Sequence, residues 1–362
     1  MPPAVRKTAE PSESVRIVAL GGGTGLSTLL RGLKNYVAAA HPAYPPPSRP
    51  RHTAAHEHGP IADLAAIVTV TDDGGSSGRL RREYRILPPG DLRNCMVALS
   101  QDEALLSRLF QYRFQSQGSL KGHSFGNLFL AALTKVTGDF PEAVRLCSEV
   151  LAIRGRIFPA TSQLVSLRAE LADGRIVAGE TRISRSRRRI RRVWLEPRRV
   201  RPLAGALDAI RSADLIVLGP GSLYTSIVPN LLVAGVADAI RRSRATRVYI
   251  ANIMTQPGET DGYSVADHVR AIHEHARGHI FDWAVINNQR ISPRLLARYR
   301  AQGAEPVAAS VPELQKLGVR CVFDSLVEEG GVVRHSGPRL ARLLLEEFIQ
   351  RRPVPHGTGR RP

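Results

Sequence analysis

The sequence predicts an α/β fold: a Rossmann-like, mostly parallel sheet with helices on both faces and an inserted antiparallel β hairpin element. Three observations carry this. Short apolar, β-branched runs alternate with segments of helical spacing along most of the 362 residues. Glycine or small polar residues follow those runs, as they do where parallel strands end at a ligand crevice. The hydrophobic period drops to two only around Val165, Leu167, Ala169 and Leu171. At 43% hydrophobic and 23% charged residues the chain supports a packed core.

Taken in order, residues 1–14 are polar and proline-bearing and read as a flexible N-terminus without the apolar stretch of a secretory leader. Val15–Leu20 reads as a strand, Gly21–Gly25 as a turn and Leu26–Val37 as a helix, the start of a βαβ unit. Between 40 and 60, Pro42, Pro45, Pro46, Pro47, Pro50 and Pro60 accumulate with four histidines, which reads as a flexible insertion loop. His52, His56 and His58 have a spacing at which imidazoles converge on a metal, but only Glu57 adds a ligand. A strand at Ala65–Thr71 runs into Asp72-Asp73-Gly-Gly-Ser-Ser-Gly78, and helical segments continue to Leu151.

The alternation near 165–171, the turn Asp173-Gly174 and a return strand through Ile176 and Thr181 form the inserted element, spanning 163–201. Its second half carries ten arginines between Arg182 and Arg201 and reads as a solvated basic strand face or loop. Helix Leu203–Arg211, strands Asp214–Leu218, Arg247–Ala251 and Trp283–Ile286, and a last helix Pro338–Gln350 complete one domain over 15–351; residues 352–362 read as a disordered tail.

Composition narrows function. Cys95, Cys147 and Cys321 are odd in number and far apart, so neither a disulfide framework nor a paired zinc motif can be drawn. No apolar run approaches the roughly 20 residues of a membrane span, and the expected location is the cytoplasm. The net charge of +19 invites a polyanion reading; its dominance by arginine is equally a matter of genomic base composition, and nucleic acid is not the expected partner. The oligomeric state stays open, a homo-oligomer being compatible.

Chemistry is expected at the strand ends. Gly21, Gly22, Gly23, Thr24 and Gly25 allow close backbone approach to a phosphate at a helix N-terminus, with hydroxyls from Thr24, Ser27 and Thr28. The pattern lacks the third glycine of the dinucleotide fingerprint and the Gly-Lys-Ser/Thr of a P-loop. Asp72 and Asp73 are candidates for metal, ligand hydroxyl or proton, with Gly74 beside them and Ser76 and Ser77 as caps. Pro88-Pro-Gly-Asp91 delivers a capping Asp91, with Arg93 and Asn94 in the first turn; Arg93 suits an anion. His123, Ser124 and Asn127 open another helix, and Gly219, Gly221, Ser222, Asn252 and Asn287-Asn288 end later strands.

Collectively Gly21–Leu26, Val68–Leu80, Pro88–Asn94, Gly122–Asn127, Gly219-Pro-Gly-Ser-Leu-Tyr-Thr-Ser226 and Asn252–Thr260 closely resemble the gluconeogenesis factor (YvcK-like) family, related to 2-phospho-L-lactate transferase (CofD). The similarity spans roughly Val15 to Arg342. It implies a Rossmann-like fold that binds a nucleotide-sugar, a UDP-sugar such as UDP-N-acetylglucosamine, with a role in carbon metabolism, cell shape and envelope growth and no established catalysis in many members. The transferase relatives imply the alternative: a phospholactyl-type group moved from a nucleotide diphosphate to a deazaflavin with Mg²⁺, the acceptor contacts falling at Asp72 or Asp73 and Arg93. The same likeness adds Thr225 and Thr255 to the expected site, and Arg334, in Gly331-Val-Val-Arg334-His335, as part of a segment that closes it.

Overall fold

The computed structural model describes residues 14–38, 59–101, 105–115 and 117–350. The expected flexible N-terminus up to residue 13, most of the 40–60 insertion with His52, His56, Glu57 and His58, and the tail 352–362 lie outside the described residues.

The chain lays down β1 (Val15–Gly21), β2 (Ile61–Val68) and β3 (Arg156–Pro159), then makes an excursion through β4 (Ser166–Leu171), β5 (Ile176–Ala178) and β6 (Ile190–Glu196). It returns with β7 (Leu215–Leu218), β8 (Thr246–Ile250), β9 (Trp283–Asn287) and β10 (Arg320–Asp324), and ends in the hairpin β11 (Val327–Glu329) and β12 (Val333–His335). The main sheet has the order β10-β9-β8-β7-β1-β2-β3, and every neighbouring pair is parallel. The excursion forms its own antiparallel sheet, β5-β4-β6.

Helices cover the main sheet. α1 (Gly23–Leu33) follows β1, and α2 (Gly75–Tyr84), α3 (Gly90–Leu99), α4 (Leu105–Gln111), α5 (Phe125–Thr137) and α6 (Phe140–Val150) fill the passage from β2 to β3. α7 (Glu180–Arg185) belongs to the excursion and α8 (Ala204–Ser212) leads into β7. α9 (Val228–Leu231), α10 (Val236–Arg242), α11 (Val265–His275), α12 (Pro293–Arg300), α13 (Val311–Lys316) and α14 (Gly337–Leu345) serve the second half. The central strands are apolar on both faces because both faces are covered: Leu215–Leu218 is wholly buried. In α1, Leu26, Leu29, Leu30 and Leu33 repeat at helical spacing and are fully buried, and the helix packs on α3 and α14.

This order places the functional region. From β1 the chain winds outward to β2 and β3, and from β7 outward to β8, β9 and β10, so connections diverge between β1 and β7. A crevice opens at such a switch point beyond the carboxyl ends of the strands. At the opposite ends the chain leaves at Ala38, whose N–H donates to Ile61 O at 2.9 Å.

Some boundaries differ from the expected ones for local reasons. Helix α1 begins at Gly23 rather than Leu26, so the glycine turn itself forms its first turn. The return strand stops at Ala178, because Asp73 binds the Thr181 backbone N–H at 2.9 Å and hydroxyl at 2.7 Å and starts α7 there. The edge strands β3 and β10 were not expected: they are short and interrupted by Arg156, Pro159, Arg320 and Asp324.

Candidate functional site

The turns after β1 and β7 face each other across the switch point. A Cβ on Gly25 would lie 2.4 Å from the Pro220 carbonyl oxygen, so only glycine lets α1 start against the second turn. Gly219 has φ 86°, the left-handed region that favours glycine. Asn230, fully buried, donates to the Gly21 and Ser226 carbonyls at 3.0 and 2.8 Å and ties the two turns together.

Between them lies a cleft of about 620 Å³, lined from the expected set by Gly22, Gly23, Thr24, Gly25, Gly221, Ser222, Thr225, Asn252, Thr255 and Arg334. Gly22, the cap of α1, makes no side-chain hydrogen bond of its own, and the first turn of α1 lines the cleft. The Ser27 and Thr28 hydroxyls are turned back onto Thr24 O at 3.0 and 2.9 Å. Ser222 Oγ accepts from Gln256 Nε2 at 2.8 Å. Thr255 is pinned to the Glu305 backbone, its N–H donating at 2.7 Å and its hydroxyl oxygen accepting at 2.9 Å. The β11–β12 hairpin carries Arg334 to the rim, and the buried His335 fastens it by donating Nε2–H to Ala251 O at 3.2 Å. Burial pushes the His335 pKa down to about 4, so the ring stays neutral in that bond.

A second, smaller hollow of about 260 Å³ takes Asp72, Gly74, Ser76, Ser77, Arg93, Asn94 and Asn127. Here α2, α3 and α5 start close together. Arg93 donates to Ser124 Oγ at 2.5 Å and Asn94 Oδ1 at 2.6 Å; burial, then Arg113, lowers its pKa to about 10. Its Nε, and Oδ1 of Asn127, are buried without a protein partner. Of the remaining expected residues, Gly21, Asp73, His123, Ser124 and Gly219 line neither space. Ser124 caps α5, His123 shares a 3.0 Å hydrogen bond with Ser76, and Asn287 accepts from Gln289 and Leu326 N–H groups.

The adjacent Asp72 and Asp73 therefore part company. Asp72 accepts from Gly74 N–H at 2.8 Å beside the hollow, whereas Asp73 is spent on α7. Nor do Ser76 and Ser77 cap α2, whose cap is Gly74; Asp91 is not a cap either, lying inside α3 behind Pro89. For the Mg²⁺ implied by the transferase likeness, Asp72 alone of the pair faces the hollow, Asp73 being engaged with Thr181; among the described residues no three His, Cys, Asp or Glu side chains are grouped, so an ion held there would draw its other ligands from a bound phosphate and water.

Three carboxylates went unrecognised as site residues in the sequence. Asp91 accepts from Gly23 N–H at the start of α1; burial, then Asp72, raises its pKa to about 6. Glu259, 4% exposed, accepts from Tyr224 and Thr225 N–H at 2.7 and 3.1 Å, and burial raises it to about 7. Glu180 opens α7 and reaches the cleft wall from the inserted element. Asp91 and Glu259 stand inside the motifs quoted above, so position was the available signal; Glu180 had none, since only the folded excursion brings it there.

Part of the arginine-rich stretch is engaged within the fold. Arg191 and Arg192 pair with Glu170, Arg198 lies 4.5 Å over Trp194, and Arg189 lies 5.9 Å over Tyr263. Among the described residues no single helix is long and apolar enough to cross a membrane; one bent pair, Leu223–Leu231 with Val236–Arg242, passes on length and composition, yet its residues are mostly buried in the core.

Comparison with known proteins places this geometry among relatives. The family model described as 2-phospho-L-lactate transferase CofD matches residues 17–327. The gluconeogenesis factor of Bacillus subtilis is 46% identical over 332 residues, 91% of this chain and 97% of that protein. The gluconeogenesis factor of Halalkalibacterium halodurans is 46% identical, covering 91% and 95%. A crystal structure of a Bacillus halodurans protein superposes with a TM-score of 0.83 at 46% identity, covering 92% of this chain and 99% of that one.

Proposed function

The chain belongs to the 2-phospho-L-lactate transferase CofD family, alongside the gluconeogenesis factors, and on that premise we propose that it is a cytoplasmic regulatory protein that binds a nucleotide-sugar of the UDP-sugar class, UDP-N-acetylglucosamine or UDP-glucose, without turning it over. The observation that carries this reading is the pair of facing glycine turns over a cleft of about 620 Å³, a volume of the right order for a drug-sized ligand. In this reading the diphosphate sits against the first turn of α1, where Gly23 has nothing within 4 Å of its Cβ position and the helix dipole favours negative charge. Asn252 and Arg334 then meet the polar remainder of the ligand, Arg334 offering the fork that suits phosphate oxygens. Carbon metabolism and cell shape are the processes such a sensor would serve.

Calorimetry and thermal unfolding with UDP-N-acetylglucosamine and UDP-glucose test it. A ligand that binds only the folded state raises the apparent Tm, by about 2.7 kcal/mol of stability at a hundredfold excess over Kd. Absence of both heat and stabilisation for every UDP-sugar removes the reading. Product formed from nucleotide-activated phospholactate and a deazaflavin would replace it with the transferase.

A further inference from the structure

Glu180 stands where carboxylates crowd. It is partly buried on the wall of the main cleft, and the next residue, Thr181, is the one held by Asp73. The Gly179 Cβ position would fall 2.1 Å from the Asp73 carboxylate, so the turn leading to Glu180 is pressed against that acid. Glu259 lines the same cleft, and Asp91, on the smaller hollow, comes up behind it, 2.7 Å from where a Cβ on Gly22 would be. Asp72 in turn flanks Asp91 across Gly90. Among the described residues Glu180 has no ion pair, and its one hydrogen bond given by a side chain comes from the Thr71 hydroxyl at 3.4 Å. Of the cations around it, Arg81 faces Asp72 and Asp73, Arg93 faces Asp91, and Arg334 stands on the rim of the cleft without an ion pair to Glu180 among the described residues.

We propose that Glu180 is held as a neutral carboxylic acid at neutral pH and uses its O–H to donate a hydrogen bond into the cleft, to a phosphate oxygen of the bound ligand. The alternative, another full negative charge among Asp72, Asp73, Asp91 and Glu259 with no cation of its own, costs more than retaining a proton in a partly desolvated wall. Burial first, and then those four acids, raise the Glu180 pKa well above the carboxylate range. An anionic ligand entering the cleft strengthens the same preference. A protonated carboxyl offers that ligand a donor where a carboxylate would repel it. The donor half rests on the phosphate reading given above; the protonation half does not.

Infrared difference spectroscopy of the unliganded full chain at pH 7, wild type minus Glu180→Gln, tests protonation directly. A neutral-carboxyl C=O stretch, shifted by deuteration and lost in the variant, is expected; its absence, or its disappearance when Mg²⁺ alone is added, overturns the proposal. Binding of UDP-N-acetylglucosamine and of inorganic pyrophosphate tests donation. Glu180→Met should weaken binding by about ten- to a hundredfold, the worth of a hydrogen bond to a charged group. Glu180→Gln, still a donor, should recover most of that loss and bind with an affinity that does not fall as rising pH ionises the wild-type carboxyl. Equal loss in both variants, with unchanged melting curves, overturns the donor role. If neither probe binds wild type, the phosphate reading and the donor role fall together, while the infrared band still decides the proton.

Discussion

Glu259 accepts the Tyr224 and Thr225 amide protons without an ion pair among the described residues, and burial holds its carboxyl at about 7. An unfolded glutamate titrates near about 4.3, so between those values the folded chain binds more protons than the unfolded one. Its contribution to stability is fully present below about pH 4 and is lost as pH rises through 7, by an amount on the order of 3 kcal/mol. Glu259→Gln removes the titration and keeps a carbonyl oxygen for the two N–H groups. Urea unfolding at pH 4 and pH 8 should show the variant gaining on wild type by an amount of that order; a constant difference would rule out the linkage. Asp91, raised to about 6, slopes the same way over a narrower window.

At the scale of elements, the α1–α14 crossing fixes how firmly the C-terminal hairpin is held over the cleft. A Cβ on Gly32 would come within 2.1 Å of the Gly337 carbonyl oxygen, and Gly337 lies two residues after His335. Gly32→Ala should therefore cost about 1–3 kcal/mol by overpacking and weaken nucleotide-sugar binding through a displaced Arg334; thermal melts paired with titrations check both. Asp73→Ala should release α7 at a cost of about 1–3 kcal/mol, the loss of two bonds in one partly buried place, visible as faster amide exchange at Thr181. Much of this architecture was legible beforehand. The runs at 15–20, 214–218, 247–251 and 283–286 are apolar on both faces and fall on β1, β7, β8 and β9. The glycine turns marked the crevice because only glycine permits the Gly25–Pro220 approach. Pairing was not legible. Asp72 and Asp73 look alike in sequence and serve different elements, and Glu180 reaches the cleft only because the excursion folds back over it.

For the whole molecule, the charge of +19 is a long-range field rather than a site. Glu170 pairs with Arg191 and Arg192 of the basic strand face, while Arg188, Arg198 and Arg199 stay exposed. Retention on DNA should thus be sequence-independent and fall steeply between about 50 and 200 mM salt. Replacing Arg188, Arg198 and Arg199 by Gln should flatten that dependence and leave UDP-sugar affinity unchanged. Retention that resists salt, or that follows base sequence, would point to a nucleic-acid role instead. The divergence of strands about β1 and β7 separates the two ends of the sheet, with ligand chemistry at one and the Ala38–Ile61 contact at the other. Ala38 and Gly59, the described residues that flank segment 39–58, thus form a pinched neck at the end of the sheet opposite the cleft. Closing a longer loop costs only slightly more entropy, so that neck is a natural graft point. A fluorescent domain spliced there would ride on the protein as a reporter of its whereabouts without touching the cleft.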